Sequence, residues 1–322
     1  MLPKLEIKPG CEIITVTLNP VVDKTFWIKD FRPGGTFVAE KSVSLAAGKG
    51  VNVSRAISNF GGVSTATGIL SKKGSGAYLY LLANEKIHHD FLLTEGLLRA
   101  NTTVISIQKG NSTETHLREK GPTIERQVLE EFSRKLSFLL SQGSVVVFSG
   151  SIPGGLGAGT YFELIKNANE CGSKVFFDGS GKLLAEGLKA KPFFIKPNIF
   201  EVNDALGLVP RSDGELKKAV RTFHHMGIEY VMITGGSEGL VLGYQGQVVR
   251  AKVKLKHPVN SVGSGDSCVA AAVLGVESRL SAQDTARLAA AAGAANTLVS
   301  GAGVFSISDV EQLYQRTETK LL

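Results

Sequence analysis

The chain has 322 residues, 43% of them hydrophobic, enough for one large α/β domain with a packed core. Its formal charge is +7, but Lys and Arg are scattered and the one tryptophan stands alone, without the basic clusters or aromatic platforms of nucleic-acid binding. The cysteines Cys11, Cys171 and Cys268 lie far apart and suggest neither a disulfide framework nor a zinc site, and no apolar run reaches the ~20 residues of a membrane span; a cytoplasmic protein without nucleic-acid or membrane partners is expected.

In chain order, "EIITVTLNP" (12–20) reads as a core strand and "GVNVSRAISNFGG" (50–62) as a core helix. Between them "KTFWIKDF" (24–31) and "FVAEKSVSL" (37–45) read as amphipathic strands around a Pro33-Gly34-Gly35 turn. A matching pair, "NTTVISIQ" and "STETHLRE", flanks a "KGN" turn at 109–111. Two hairpins leaving a parallel sheet predict a small antiparallel β lid, built from segments near 24–45 and 98–118. From about residue 140 the pattern becomes βα alternation: strands at "SVVVFSG" (144–150), "KVFFDGSG" (174–181), "FFIKPN" (193–198) and "EYVMITGG" (229–236), and a helix at "TYFELIKNANECG" (160–172). Ser212 with Glu215 forms a capping box before "ELKKAVRTFHHMG", and Ser281 with Asp284 repeats it before "ARLAAAAGAANTLVS". The fold class is therefore α/β over residues 1–322, a doubly wound, mainly parallel sheet with helices on both faces and the lid as an insertion.

Ligands of an open parallel sheet gather at the carboxyl ends of its strands. Asn19, Asp23, Ser149, Asp178, Lys196, Asn198 and Thr234 all follow apolar strand cores, which predicts one polar cleft. "VNSVGSGDSCVAAAVLG" (259–275) brings Gly263-Ser264-Gly265-Asp266 to a helix start, where converging amides and the helix dipole suit an anion such as phosphate. A plain capped helix start explains the same four residues equally well. An acid beside a phosphate makes chemical sense if Asp266 accepts the proton of a hydroxyl that attacks that phosphate. "LAAGKGVNVSRA" (45–56) sets Gly48, Lys49, Gly50 and Asn52 at a second helix start. Neither a P-loop nor a Rossmann fingerprint is present, since "GGLGAG" (154–159) lacks the required spacing.

Together these residues resemble the ribokinase-like sugar kinases of the phosphofructokinase-B family over nearly the whole chain. "AGKGVN" is similar to the family's N-terminal signature, with Ala47 in place of its first glycine, and "VNSVGSGDSCVAA" to its C-terminal one. The resemblance makes Asp266 the catalytic base and Gly263, Ser264 and Gly265 the turn that stabilises the transferring phosphoryl group. It makes Asp23, Gly48, Lys49, Asn52 and Arg99 substrate-binding, Asp23 through sugar hydroxyls and Arg99 through a substrate phosphate. "KPNIFEV" resembles the segment that tunes magnesium and phosphate, so Asn198 and Glu201 would act on Mg2+ through water. Thr234, Gly236 and Gly239 of "TGGSEG", with Lys196, Ser261 and Asn296, would be ATP contacts.

"TVTLNPVVDKT", "SGSIPGG" and "VNSVGSGDS" are most similar to 1-phosphofructokinases and tagatose-6-phosphate kinases. The expected activity is ATP-dependent phosphorylation of a phosphorylated ketose, with fructose 1-phosphate first and tagatose 6-phosphate or fructose 6-phosphate as alternatives. A kinase of an unphosphorylated sugar or nucleoside would use the same fold, and a silent sugar-phosphate sensor would keep the cleft without turnover. A lid with an exposed apolar face suits a homodimer.

Overall fold

The computed structural model describes all residues except 1, 9, 109, 110, 256 and 257. The N-terminal part runs β1 (Ile13–Thr17), β2 (Val21–Lys29), β3 (Lys41–Ala47), α1 (Lys49–Asn59), β4 (Thr65–Lys73), α2 (Ser75–Asn84), β5 (His88–His89), β6 (Leu92–Leu97), β7 (Ala100–Gln108) and β8 (Asn111–Arg118). A regular alternation follows with α3 (Arg126–Leu139), β9 (Val145–Ser149), α4 (Thr160–Glu170), β10 (Lys174–Asp178), α5 (Gly181–Leu188), β11 (Phe194–Ile195), α6 (Ile199–Leu206), α7 (Asp213–His225) and β12 (Tyr230–Thr234). The chain then forms β13 (Leu240–Tyr244), β14 (Gln247–Lys252), α8 (Ser264–Glu277), α9 (Ala282–Asn296), α10 (Ile307–Arg316) and β15 (Glu318–Leu321).

Among the described residues the main sheet is ordered β15-β14-β13-β12-β11-β10-β9-β1-β4-β5, with β6 continuing beside β4. The pairs from β12 through β11, β10, β9, β1 and β4 are parallel, and β13, β14 and β15 close one edge antiparallel. The parallel strands read as unbroken apolar runs because both of their faces are covered. Along β9, Val145 and Val147 pack on one side with α1, α8, α9 and α10, while Val146 and Phe148 pack on the other with α3, α4, α5, α6 and α7. Side chains alternating across one strand thus feed two separate cores. Helix α8 is buried from Asp266 to Gly275, so its Ala-rich run reflects close packing against α9: a Cβ at Gly275 would stand 3.0 Å from Thr285.

The two predicted hairpins form a separate sheet ordered β3-β2-β7-β8. Each hairpin is antiparallel, and they join through a parallel pairing of β2 with β7, from Val22 opposite Ala100 to Lys29 opposite Ile107. Residues 109 and 110 of the "KGN" turn lie outside the described residues. The first hairpin differs from expectation in register: β2 starts at Val21 and β3 at Lys41, which leaves 30–40 as a long irregular connection. Strand β11 is two residues long instead of six, because Pro197 has no N–H to continue the ladder. The Ser212 capping box is present in both directions. At Ser281 only half of the expected device forms: its hydroxyl accepts from the Asp284 amide and donates to the Asp284 carboxylate, so that carboxylate does not reach back to the Ser281 amide.

Candidate active site

The carboxyl ends of β1, β9, β10 and β11 meet the N-termini of α1 and α8. Helix α1 enters this junction because glycine lets its first turn lie against β1. A Cβ at Gly50 would stand 2.5 Å from the Val16 carbonyl oxygen, and the Val51 amide donates to Thr17 Oγ1 at 3.0 Å. Gly48, with φ of 129°, supplies the preceding bend.

Helix α8 starts from Gly263 in the left-handed region at φ 84°, with no side chain capping it. A Cβ there would stand 2.4 Å from Ala302 Cα, so the turn is pressed against the 301–303 loop. The Ser264 amide donates back to the Ser261 carbonyl. Among the described residues the Gly265 and Asp266 amides have no protein acceptor, which leaves these donors at the positive end of a 14-residue helix. Lys196 lies beside them, its Nζ 3.2 Å from the position a Gly265 Cβ would take.

Asp266 is 5% exposed and accepts a 2.8 Å hydrogen bond from Asn52 Nδ2. Burial pushes its carboxyl above the ordinary range; Asp178 adds to the shift, and Lys49, the Asn52 bond and Lys196 oppose it without cancelling it. Asp266 therefore holds a proton more readily than an ordinary aspartate. Asp178, at the end of β10, is flanked by Lys196 on Oδ1 at 3.2 Å and Lys49 on Oδ2 at 3.1 Å. Burial alone would raise Asp178, but the two lysines outweigh it and hold it below its ordinary value. Asp178 in turn holds the Lys49 ammonium well above the lysine range. The junction therefore carries one firmly ionised carboxylate between two cations and a second carboxylate poised to take a proton.

A cleft between the small sheet and this junction is lined in part by Asp23, Asn52, Arg55, His116, Arg118 and Ala302. Burial raises Asp23, while a 2.8 Å bond from Asn101 and the charges of Arg118, Arg99 and Arg55 work the other way. Arg99 does not line this cleft. Its Nη2 donates to the Asn19 carbonyl at 2.9 Å, Nη1 reaches the Glu119 carbonyl at 3.4 Å, and Nε is buried without a partner among the described residues.

Asn198 and Glu201 form the capping box of α6: Asn198 Oδ1 accepts from the Phe200 and Glu201 amides, and Glu201 Oε2 accepts from the Asn198 amide at 2.8 Å. No three His, Cys, Asp or Glu side chains gather as a metal cage among the described residues. Thr234 pairs with Asn198 in an isolated parallel bridge, and Gly236 opens the short 3-10 turn that Gly239 closes. Asn296 is fully buried: Nδ2 donates to the Val262 carbonyl, and Oδ1 accepts from the Gly303 amide and the Ser267 hydroxyl. It clamps the α8 turn to the 301–303 loop and presents no surface to a ligand.

Sequence reasoning passed over Arg55 and Arg118. A cation on the core side of "GVNVSRAI" signals the first, and the inward-facing alternation of "STETHLR" signals the second.

Residues 16–309 match the pfkB family carbohydrate kinase pattern. The chain is 33% identical over 287 residues to a 1-phosphofructokinase of Borreliella burgdorferi, covering 89% of this chain and 92% of that one. It is 32% identical over 310 residues to a tagatose-6-phosphate kinase of Staphylococcus epidermidis, covering 95% and 98%. Phosphofructokinase-2 of Escherichia coli superimposes with a TM-score of 0.88 at 24% identity, over 95% of this chain and 98% of that one, a likeness of fold.

Proposed function

The chain belongs to the pfkB family of carbohydrate kinases, and from that premise we propose that it transfers the γ-phosphoryl group of ATP to a free hydroxyl of a phosphorylated ketose, fructose 1-phosphate before tagatose 6-phosphate or fructose 6-phosphate. The observation that carries this reading is the 2.8 Å contact of Asn52 with Asp266 beside unpaired amides at the start of α8. Asp266 accepts the proton of the attacking hydroxyl, and the Gly265 and Asp266 amides, with Lys196, stabilise charge on the transferring group. The Ser264 amide is spent within the turn, so the donor set is narrower than the signature implies.

Asp23 holds sugar hydroxyls. The charges of Arg118 and Arg99 beside it favour an acceptor that is already anionic, and Arg99 Nε, buried without an acceptor among the described residues, is a donor that a phosphate oxygen would satisfy. The donor set around Glu201 fits magnesium that arrives with the nucleotide: a hard cation that keeps several waters needs one nearby carboxylate rather than a cage. When bound, the ion draws charge from phosphate oxygens. Glu201 orients its water shell, Asn198 caps the helix that presents Glu201, and Thr234, Gly236, Gly239 and Ser261 border the nucleotide.

The separate four-stranded sheet acts as the lid over the acceptor. A homodimer through that sheet, whose exposed apolar residues include Ile107 and Leu117, is the proposed assembly, checked by sedimentation of the purified protein. The reaction is tested by ADP release with fructose 1-phosphate, tagatose 6-phosphate, fructose 6-phosphate, ribose and adenosine. The highest kcat/KM is expected with fructose 1-phosphate; a preference for ribose or adenosine would overturn the reading.

A further inference from the structure

Arg55 is spent completely inside the protein. It lies in the middle of α1 with a side chain 5% exposed. Nη1 donates to Asn52 Oδ1 at 3.1 Å and to the Ala302 carbonyl at 3.0 Å. Nη2 donates to the Ala46 carbonyl at 2.5 Å and to Glu85 Oε1 at 3.1 Å, and Nε is paired with Glu85 Oε2. A guanidinium has five N–H donors and no acceptor, and all five are used. Nothing remains with which Arg55 could hold a substrate, although it borders the acceptor cleft.

The direction of these bonds has a chemical consequence. Because Arg55 can only donate, Asn52 must turn its amide oxygen toward it and its NH2 toward Asp266. An ionised carboxylate can only accept, so this orientation favours the charged, proton-accepting form of Asp266. The same guanidinium fixes the wall of the α8 turn. It holds the Ala302 carbonyl, Ala302 is packed against Gly263, and a Cβ at Gly303 would stand 2.3 Å from the Asn52 carbonyl oxygen.

We propose that Arg55, anchored by Glu85, is a positioning residue that sets the amide of Asn52 against Asp266 and ties the 301–303 loop to the phosphoryl-transfer turn. This rests on the reading of Asp266 as the base. The groups facing Asp266 are Asn52 and Lys49 from α1, Lys196 after β11, Asp178 at the end of β10 and Cys268 on its own helix. Loss of the orienting bond removes one of the influences that hold the Asp266 carboxyl down, so its titration moves upward.

The test uses Arg55→Lys, which keeps a cation but cannot serve Asn52, Ala302, Ala46 and both Glu85 oxygens together. We expect kcat to fall about 10- to 100-fold, the cost of a misplaced reacting group, with KM for ATP little changed. The acid limb of kcat/KM should move up by about one pH unit, the scale of one lost hydrogen bond to a charged group. In the Asn52→Ala background the same substitution should add little, because the two act as one unit. A readout without substrates is the pH dependence of unfolding. The window in which stability falls as pH rises should extend upward in Arg55→Lys and vanish when Asp266→Asn is added. Glu85→Gln, which weakens only the anchor, should move both readouts the same way by less, and serves if Arg55→Lys does not fold. Additive effects of Arg55→Lys and Asn52→Ala, or an acid limb that stays in place in Arg55→Lys or Glu85→Gln, overturn the proposal. Undiminished turnover of Asp266→Asn would instead defeat the reading of the base.

Discussion

Lys196 Nζ stands 3.2 Å from Asp178 Oδ1, with the two side chains only 6% and 1% exposed. Lys49, 42% exposed, closes on the other oxygen from the solvent side. Charges so deeply buried are stable only together, because removing one partner leaves the others desolvated and uncompensated. Asp178→Asn should therefore destabilise the protein by about 3 kcal/mol, read as a fall in the urea midpoint at unchanged slope. Lys196→Met in the same chain should restore part of the loss. A midpoint equal to wild type in Asp178→Asn would mean that the pair carries no net stabilisation.

Asp266 is expected to govern the chemical step. Asp266→Asn should lower kcat by ~100-fold or more, the scale of a lost positioned base, and leave the KM for ATP and sugar phosphate nearly unchanged. The fold should survive, because an asparagine can still pair with Asn52 across the same 2.8 Å contact. Steady-state kinetics on the variant, with its unfolding transition as a control, decide the matter.

The pH dependence follows from the raised Asp266 carboxyl. Burial is the largest cause, and the native state holds this proton more tightly than the unfolded chain. Stability then falls as pH rises from the ordinary carboxylate value, about 4, through the raised one. Asp266→Asn removes this slope, so the variant should gain on the wild type across that window and keep its advantage above it. Activity runs the other way: kcat/KM should rise along an acid limb that lies above the ordinary carboxylate range. An acid limb at or below about 4 would contradict the raised carboxyl.

How much of this was legible in the sequence depended on how local the cause is. The Gly263–Asp266 turn and the strand cores at 145–149 and 174–178 are written in a few consecutive residues, and they fold as read. Arg55 is different, because its partners at Glu85 and Ala302 lie 30 and 247 positions away and only the fold brings them together. Asn296, which the resemblance assigns to ATP, is a similar case: a polar residue ending an Ala-rich helix gives no hint of the backbone groups of Val262 and Gly303 to which it bonds. The antiparallel addition of β15 to β14 is not legible either, since β15 is short and largely exposed and carries little apolar pattern.

Asn198 and Glu201 show one spacing serving two readings, since an Asn followed three residues later by Glu is both a capping box and the segment assigned to magnesium. Charge separates them. Glu201→Gln keeps an oxygen for the Asn198 amide and should keep thermal stability, while raising the magnesium concentration needed for half-maximal rate. Glu201→Ala should do both kinds of damage, with about 1 kcal/mol lost from the helix start. A magnesium titration of Glu201→Gln that overlays the wild type would leave the residue a cap alone.

Arg99 carries the sharpest claim about the substrate. The family resemblance sets it against a substrate phosphate; the structure ties two of its nitrogens to the carbonyls of Asn19 and Glu119 and, among the described residues, leaves Nε buried without a partner. Burial also lowers the guanidinium's affinity for its proton, a cost that nearby Asp23 offsets only in part. A desolvated cation with an unmet donor gains more from a doubly charged phosphate than a solvated one would, because water no longer screens the attraction. Arg99→Ala should therefore cost about 2–4 kcal/mol in kcat/KM for the sugar phosphate, the scale of losing one partner of a buried charge pair. The KM for ATP should barely move. Since the Asn19 bond is lost as well, Arg99→Lys provides the control: a lysine can still donate to the Asn19 carbonyl but cannot offer planar paired donors to phosphate, so it should recover stability and little of the catalytic loss. Full recovery of kcat/KM by Arg99→Lys would assign Arg99 to holding Asn19 in place, and the substrate phosphate would have to be sought at Arg118 or Lys49.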